Sequence, residues 1–261
     1  MVPIDLTRDL GVRAGDILFV HASLDRIGAD AGAGQALVSR LLEAVGSEGS
    51  VFMPSYPWPP PSGFPPPGSV FNVRRTPSRA GLLSEMFRRS PGVTRSESYY
   101  LPLAGCGRYA PAVLSDQIGV AEPFGWDSSF GRLARDSRTR ILGLGVSLNT
   151  TSFIHVADHA LYRRYGFPYY DATPATGTVI CVDGRVEDAS TLTVRADLHK
   201  RMRPARLFDI SERLRTSLVR YDVGSTINFS YPAKLFVDEA VEIGKEALDR
   251  GKSVPWIEMQ R

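Results

Sequence analysis

Cysteine is scarce in this sequence: two residues in 261, Cys106 and Cys181, far apart and without a CxxC spacing. Neither a disulfide framework nor a zinc knuckle follows, and the usage fits a reducing, cytoplasmic setting. Long apolar runs are missing as well. None approaches the roughly 18 residues of a membrane span, and the opening Met1-Val2-Pro3-Ile4-Asp5 lacks the basic-then-apolar order of a signal peptide. No excess of one charge exists either: 31 Lys and Arg against 28 Asp and Glu leave +3, too little to demand a nucleic acid or another polyanion as partner. Gly-x-Ser-x-Gly, Walker A and Gly-x-Gly-x-x-Gly patterns do not occur, so the serine-hydrolase, P-loop and common dinucleotide readings lack their signatures.

What is present is an ordinary globular composition, 43% hydrophobic and 23% charged, in a chain long enough to bury a substantial core. The run Asp16 to His21 reads as a buried strand, Gly34 to Val45 as a helix closed by Gly46 and Gly49, and Ser50 to Pro54 as a second buried strand. Strand, helix, strand predicts a parallel pair in an α/β fold. Seven prolines and the aromatics Trp58, Phe64 and Phe71 between Tyr56 and Val73 exclude a helix and predict a long loop, either a wall of a binding site or a passive excursion. Thr76-Pro77 predicts the N-cap and first position of a helix running to Phe87, a start able to bind an anion. Arg140 to Val146 reads as another buried strand and Thr151 to Tyr165 as a helix. Ala172 to Asp188 reads as a hairpin turning at Asp183-Gly184, and Phe208 to Tyr221 and Val237 to Asp249 read as helices. The expected fold is one α/β domain over residues 1–261, with a central mixed, largely parallel sheet flanked by helices and a long Pro/aromatic loop.

Four histidines, His21, His155, His159 and His199, are few enough for their placement to matter. His21 ends the first strand beside Ser23, at the carboxyl edge where open α/β sheets bind ligands; a satisfied structural histidine is the competing reading. On a helix Asp158 and His159 share a face with His155, and a carboxylate on one imidazole nitrogen makes the other a general base. The same trio with His21 as third ligand also spells a zinc hydrolase, although the protease helices use Glu where this chain has Asp158. Arginines gather at Arg74, Arg75 and Arg79, at Arg88-Arg89 and between Arg201 and Arg206, either to grip phosphate or as solvated faces.

Gly15-Asp16-Ile17-Leu18-Phe19-Val20-His21-Ala22-Ser23-Leu24, Met53-Pro54-Ser55, Thr76-Pro77-Ser78-Arg79-Ala80-Gly81-Leu82-Leu83-Ser84-Glu85, Arg95-Ser96, Pro123-Phe124-Gly125, Asn149-Thr150-Thr151 and His155-Val156-Ala157-Asp158 together resemble the aminoglycoside 3-N-acetyltransferase family over most of residues 14–165. The resemblance implies an α/β fold unrelated to the GNAT fold, acetyl-CoA as co-substrate without a metal, and direct transfer to an amine with His155 as base, Asp158 orienting it and His21 assisting. It points to Ser23, Arg74, Arg75, Thr76, Ser78, Arg79 and Gly81 for acetyl-CoA, and to Tyr56, Trp58, Tyr99, Asn149, Thr151 and His159 for the acceptor. The family usually carries Glu where this chain has Asp158, and the antibiotic-modifying members a His-Pro pair where it has Ser98-Tyr99. With no carboxylate between Tyr56 and Val73, the expected acceptor is an amino sugar, free or nucleotide-linked, or a natural-product amine. A formyl or other short acyl donor, a catalytically silent binding protein of the same fold, and a homodimer stay open.

Overall fold

The run Ile17-Leu18-Phe19-Val20 lies at the centre of the molecule because both of its faces are covered: Ile17 and Phe19 enter one apolar cluster and Leu18 and Val20 another. An uninterrupted apolar run, without alternation, is what a strand buried on two sides requires. The structure, a computed structural model, describes residues 4–58, 63–115 and 117–258. Met1 to Pro3 of the N-terminal reading and residues 59–62 of the proline-rich stretch lie outside the described residues.

In chain order the strands are β1 (Ile17–Ala22), β2 (Ser50–Pro54), β3 (Ser69–Asn72), β4 (Thr94–Arg95), β5 (Leu103–Gly107), β6 (Thr139–Leu144), β7 (Ala175–Ile180), β8 (Val186–Thr191), β9 (Val219–Val223) and β10 (Thr226–Pro232). The helices are α1 (Leu6–Leu10), α2 (Ala31–Val45), α3 (Leu82–Arg88), α4 (Ala110–Leu114), α5 (Ser129–Arg135), α6 (Ile154–Tyr165), α7 (Ala196–Arg201), α8 (Arg206–Ile210), α9 (Glu212–Ser217) and α10 (Ala233–Asp249). Seven strands form one sheet in the order β4-β5-β2-β1-β6-β10-β9, and β3-β7-β8 form a second. The main sheet is mixed, as expected. Its parallel part is confined to β2-β1-β6, and the pairings of β5 with β2 and β4 and of β10 with β6 and β9 are antiparallel.

One of the antiparallel pairings, β9 with β10, comes from a segment read as helix. Phe208 to Tyr221 has apolar spacings of three and four, but Ser211 Oγ accepts from Leu214 N and starts a new short helix, α9. Beyond it Val219, Tyr221 and Val223 alternate as a strand does, and β9 turns back antiparallel into β10. The proline-rich stretch also ends differently from the expected loop. Its last residues form β3, which pairs in parallel with β7, and its aromatics Trp58 and Phe71 are buried. The predicted hairpin is β7–β8, with Gly184 at φ 92° in the turn.

The predicted helix start at Thr76-Pro77 is not a helix start. Helix α3 begins at Leu82 after Gly81, which sits at φ 120° and gives no side-chain cap. Thr76 Oγ1 instead accepts from Asn72 N at 2.9 Å, and Asn72 Oδ1 accepts from the N–H groups of Arg74 and Arg75. These side-chain-to-backbone bonds fold residues 72–76 into a turn, which competes with helix formation. A helix end therefore does not present Thr76-Pro77 to an anion.

Helix α6 packs on α10 over a glycine. A Cβ at Gly244 would lie 2.5 Å from Leu161 Cδ1 and 2.7 Å from Trp256 Cη2, so only glycine lets α6 and Trp256 close together there. That contact fixes Trp256 against the polar side of α6. Among the described residues no helix is long and apolar enough to cross a membrane.

Candidate active site

The segment before α6 is built from its own hydroxyls. Ser147 Oγ accepts from Asn149 N, a single 3-10 turn covers Leu148–Thr150, and Thr151 Oγ1 donates to Leu148 O at 2.9 Å. Helix α6 accordingly begins at Ile154, three residues later than the predicted start. His155 follows at its first turn.

His155 is 9% exposed, and its Nδ1 lies 2.6 Å from Tyr169 Oη and 3.7 Å from Asp158 Oδ2. Its Nε2 has no hydrogen-bond partner among the described residues. Asp158 is fully buried; Oδ1 accepts from Trp256 Nε1 at 2.9 Å, while Oδ2 has no hydrogen-bond partner among the described residues. Burial pushes the Asp158 carboxyl above the usual carboxylate range, against the opposing pull of His155 and Trp256. The nearby Oδ2 favours the tautomer with the proton on Nδ1, which leaves the Nε2 lone pair free. Phe124 lies 4.8 Å from the His155 ring, and the His199 ring stands 5.8 Å away at 21°, nearly parallel to it. Phe64 meets the His199 ring edge-on at 6.3 Å.

Three of these partners escaped the sequence reading. Trp256 is 98 residues from Asp158 and carries no local signal. Tyr169, in the Phe167-Pro168-Tyr169-Tyr170 corner, has none either. His199 was visible as one of only four histidines, but its pairing with His155 depends on α7 reaching the end of α6.

His21 and His159 do not join His155. His21 is 6% exposed on the same face of β1 as Phe19, whose ring packs on Phe153 just before α6. Its Nε2 is buried without a partner among the described residues, and burial pushes its pKa down to about 4. His159 lies one turn beyond His155 but bonds Tyr170 Oη through Nδ1 at 3.1 Å and faces Glu122 at 3.6 Å, in a separate cavity of about 490 Å³. Burial lowers its pKa, with Glu122 opposing and Arg163 adding to the fall. Among the described residues no group of three or more His, Cys, Asp or Glu side chains is arranged to hold a metal ion, so the three-histidine site of the zinc reading is not assembled.

The neutral burial of His21 has a measurable cost. Between the ordinary histidine pKa of 6.5 and about 4 the unfolded chain binds this proton and the folded chain does not, so stability is lost as pH falls through that window. The size is about 3 kcal/mol. Urea unfolding at pH 7 and pH 4 is expected to show the stability difference between wild type and His21→Leu shifting by that order in favour of the variant at pH 4; a difference independent of pH would contradict it.

The remaining predicted residues divide into groups. Ser23, half-buried, follows β1 and donates its N–H to Leu144 O at 2.9 Å. A Cβ at Gly81 would come 3.6 Å from Ala22 O, so the loop of Ser78, Arg79 and Gly81 lies against this strand end. Ser78 Oγ accepts from Ala80 N, and the exposed Arg79 donates its N–H to Tyr56 O. Arg74 and Arg75 line a different cavity, beside β4. Tyr56 Oη lies 3.4 Å from Ser152 Oγ. Trp58 Nε1 donates to Tyr99 O, and Tyr99 Oη bonds Ser69 Oγ at 2.7 Å; both rings are buried and build the wall rather than line it. Asn149 Oδ1 accepts from Ala205 N, and the buried Thr151 hydroxyl is shared between Leu148 O and Tyr231 Oη.

A family model described as Aminoglycoside 3-N-acetyltransferase matches residues 19–243. Aminoglycoside N(3)-acetyltransferase IV of Salmonella sp is 30% identical over 176 residues, 67% of this chain and 64% of that protein. The SPbeta prophage-derived aminoglycoside N(3')-acetyltransferase-like protein YokD of Bacillus subtilis is 28% identical over 67% of this chain and 68% of its own. The chain thus covers slightly less than two thirds of the length of the Salmonella relative. Among solved structures, the apoenzyme of aminoglycoside acetyltransferase AAC(3)-IVa superposes with a TM-score of 0.69 at 23% identity over 93% of this chain and 86% of that one. AAC-IIIb, described as a binary complex with CoASH, gives 0.72 at 19% identity over 95% of each. At these identities the structures speak for the fold alone.

Proposed function

The chain belongs to the aminoglycoside 3-N-acetyltransferase family, and from that premise we propose that it transfers an acetyl group from acetyl-CoA to the amine of a small polar acceptor, with His155 as general base. The observation that carries the reading is the His155 imidazole, held on its Nδ1 side by Tyr169 Oη and Asp158 while Nε2 has no partner among the described residues. A protonated amine has no lone pair for a thioester, so a base must take its proton. Solvent takes this first proton, and Nε2 takes the second, from the neutral nitrogen as it attacks the acetyl carbon. The C–S bond then breaks, the electron pair leaves on sulfur, and the imidazolium returns the proton to the thiolate. Asp158 and Tyr169 hold the ring and favour the imidazolium that forms between the two steps.

Ser23 and the backbone N–H groups around it are the donors we assign to the oxyanion, because they stand at the carboxyl end of β1. Acetyl-CoA is assigned to Ser23, Thr76, Ser78, Arg79 and Gly81. In support, the 78–81 loop lies against that strand end, and the Arg79 guanidinium is exposed with no acidic partner among the described residues.

The acceptor reading rests on what surrounds His155. Phe124, Tyr169 and His199 form its ring wall, and the carboxylate beside it, Asp158, is fully buried. A polycationic acceptor needs exposed carboxylates near the base; flat aromatic and imidazole faces suit a sugar ring or a nucleotide base. An amino sugar, free or nucleotide-linked, or a natural-product amine fits this wall better than an aminoglycoside. Calorimetric titration tests the donor half of the proposal. Acetyl-CoA and CoA are expected to bind saturably, with Arg79→Ala about tenfold weaker for the loss of one charged contact; no saturable binding of either would contradict it.

A further inference from the structure

A second concentration of charge lies away from His155. A cavity of about 640 Å³ opens between α3, β4 and the turn that follows β3. Strands β5 and β2 separate β4 from β1, a distance of about 14 Å along the sheet. Five arginines line it, Arg74, Arg75, Arg88, Arg89 and Arg95, against one carboxylate, Glu85. That carboxylate is already engaged by Arg88 through Nε at 2.8 Å and Nη2 at 2.6 Å. The guanidiniums of Arg74, Arg75 and Arg89 make no hydrogen bond or ion pair with the described residues.

Arg95 makes this more than a basic surface. It is 7% exposed; its Nη1 donates to Val73 O and Thr76 O and its Nη2 to Ser55 O, and the guanidinium lies over the Phe71 ring at 4.6 Å, so carbonyls and a ring face hold it. Its Nε is buried without a partner, and no carboxylate lies within ion-pair distance among the described residues. A buried charge without a counter-ion is costly, and an anion in the adjoining cavity offsets that cost. The same carbonyl bonds, with Asn72 Oδ1 on the N–H groups of Arg74 and Arg75, fix the turn that presents those two side chains. The backbone that carries Arg74 and Arg75 is therefore preorganised.

We propose that this cavity is a binding site for a phosphate ester or pyrophosphate group. Guanidinium forks match phosphate oxygens two by two, and a space of this size accommodates a nucleotide-sized ligand rather than a bare ion. The phosphate has two sources, the co-substrate's own phosphates or a nucleoside-diphosphate-linked acceptor. Binding of the group itself is independent of whether the protein transfers acetyl groups.

The test is calorimetric titration of inorganic pyrophosphate at low ionic strength. Wild type is expected to bind saturably, and the triple variant Arg74→Ala, Arg75→Ala, Arg89→Ala at least about thirtyfold more weakly, since each charged contact contributes severalfold. A control triple, Arg8→Ala, Arg213→Ala, Arg220→Ala, removes the same number of charges elsewhere and is expected to stay within about threefold of wild type. Arg89→Glu, a single exposed change, supplies a second weakened variant if the triple does not fold. Absent binding, or equal weakening in both triples, overturns the proposal. The sources separate in further titrations. If CoA outbinds dephospho-CoA in wild type and the ratio collapses in the cavity variant, the co-substrate supplies the phosphate. If the ratio holds while a nucleoside-diphosphate-linked amino sugar binds more weakly, the acceptor does.

Discussion

Replacing His155 with alanine is expected to lower kcat by about 10²–10⁴-fold, the span that positioned general bases contribute, while the affinity for CoA stays within about twofold. The separation follows from geometry. The residues assigned to CoA stand at the end of β1 and between Thr76 and Gly81, whereas the His155 contacts come from α6, Tyr169, Phe124 and α7. Because the ring is nearly buried, the alanine variant leaves a gap beside Phe124 and loses stability; His155→Gln fills most of it and must lose the same rate. Steady-state rates with matched calorimetry check both. A variant that keeps its rate, or loses rate only in proportion to its CoA affinity, would remove His155 from the chemistry.

Asp158→Asn is expected to cost about 10³-fold in kcat, by the logic through which an amide in place of an orienting carboxylate selects the wrong imidazole tautomer. The variant's amide can donate to Nδ1, which forces the proton onto Nε2 and removes the lone pair that faces the amine. Its stability is expected to move the other way or not at all. Asp158 is fully buried and burial works against its charge, so a neutral isostere that keeps an oxygen for Trp256 Nε1 removes a desolvation cost. A lower rate with an undiminished Tm is the signature of positioning. A fall in both, in proportion, would make Asp158 a structural residue only.

How much of this was legible depended on the range of each interaction. Strands β1, β2 and β6 showed themselves as short buried runs, and the β7–β8 hairpin through Asp183-Gly184, because burial on two faces and a left-handed turn are local properties. His155 and Asp158 were legible as a pair because three residues make one helical turn. The turn at residues 72–76 was not, since the Thr76 Oγ1 that would cap a helix there accepts from Asn72 N instead. Strand β9 was hidden by apolar spacings that satisfy a helix until Ser211 caps a new one. Tyr169, Trp256 and His199 depend on distant segments closing over α6; the arginine pairs beside β4 show in the sequence, but their meeting depends on where α3 lies.

The account turns on amine-dependent acetyl transfer, and the most direct measurement is the release of CoA thiol from acetyl-CoA in the presence of amines of different classes, with the products weighed by mass spectrometry. The account predicts release that requires an amino sugar or comparable amine, a product heavier by one acetyl group, and neither in His155→Ala. Thiol release unaffected by any amine, or equal acetylation by the His155 variant, would contradict it.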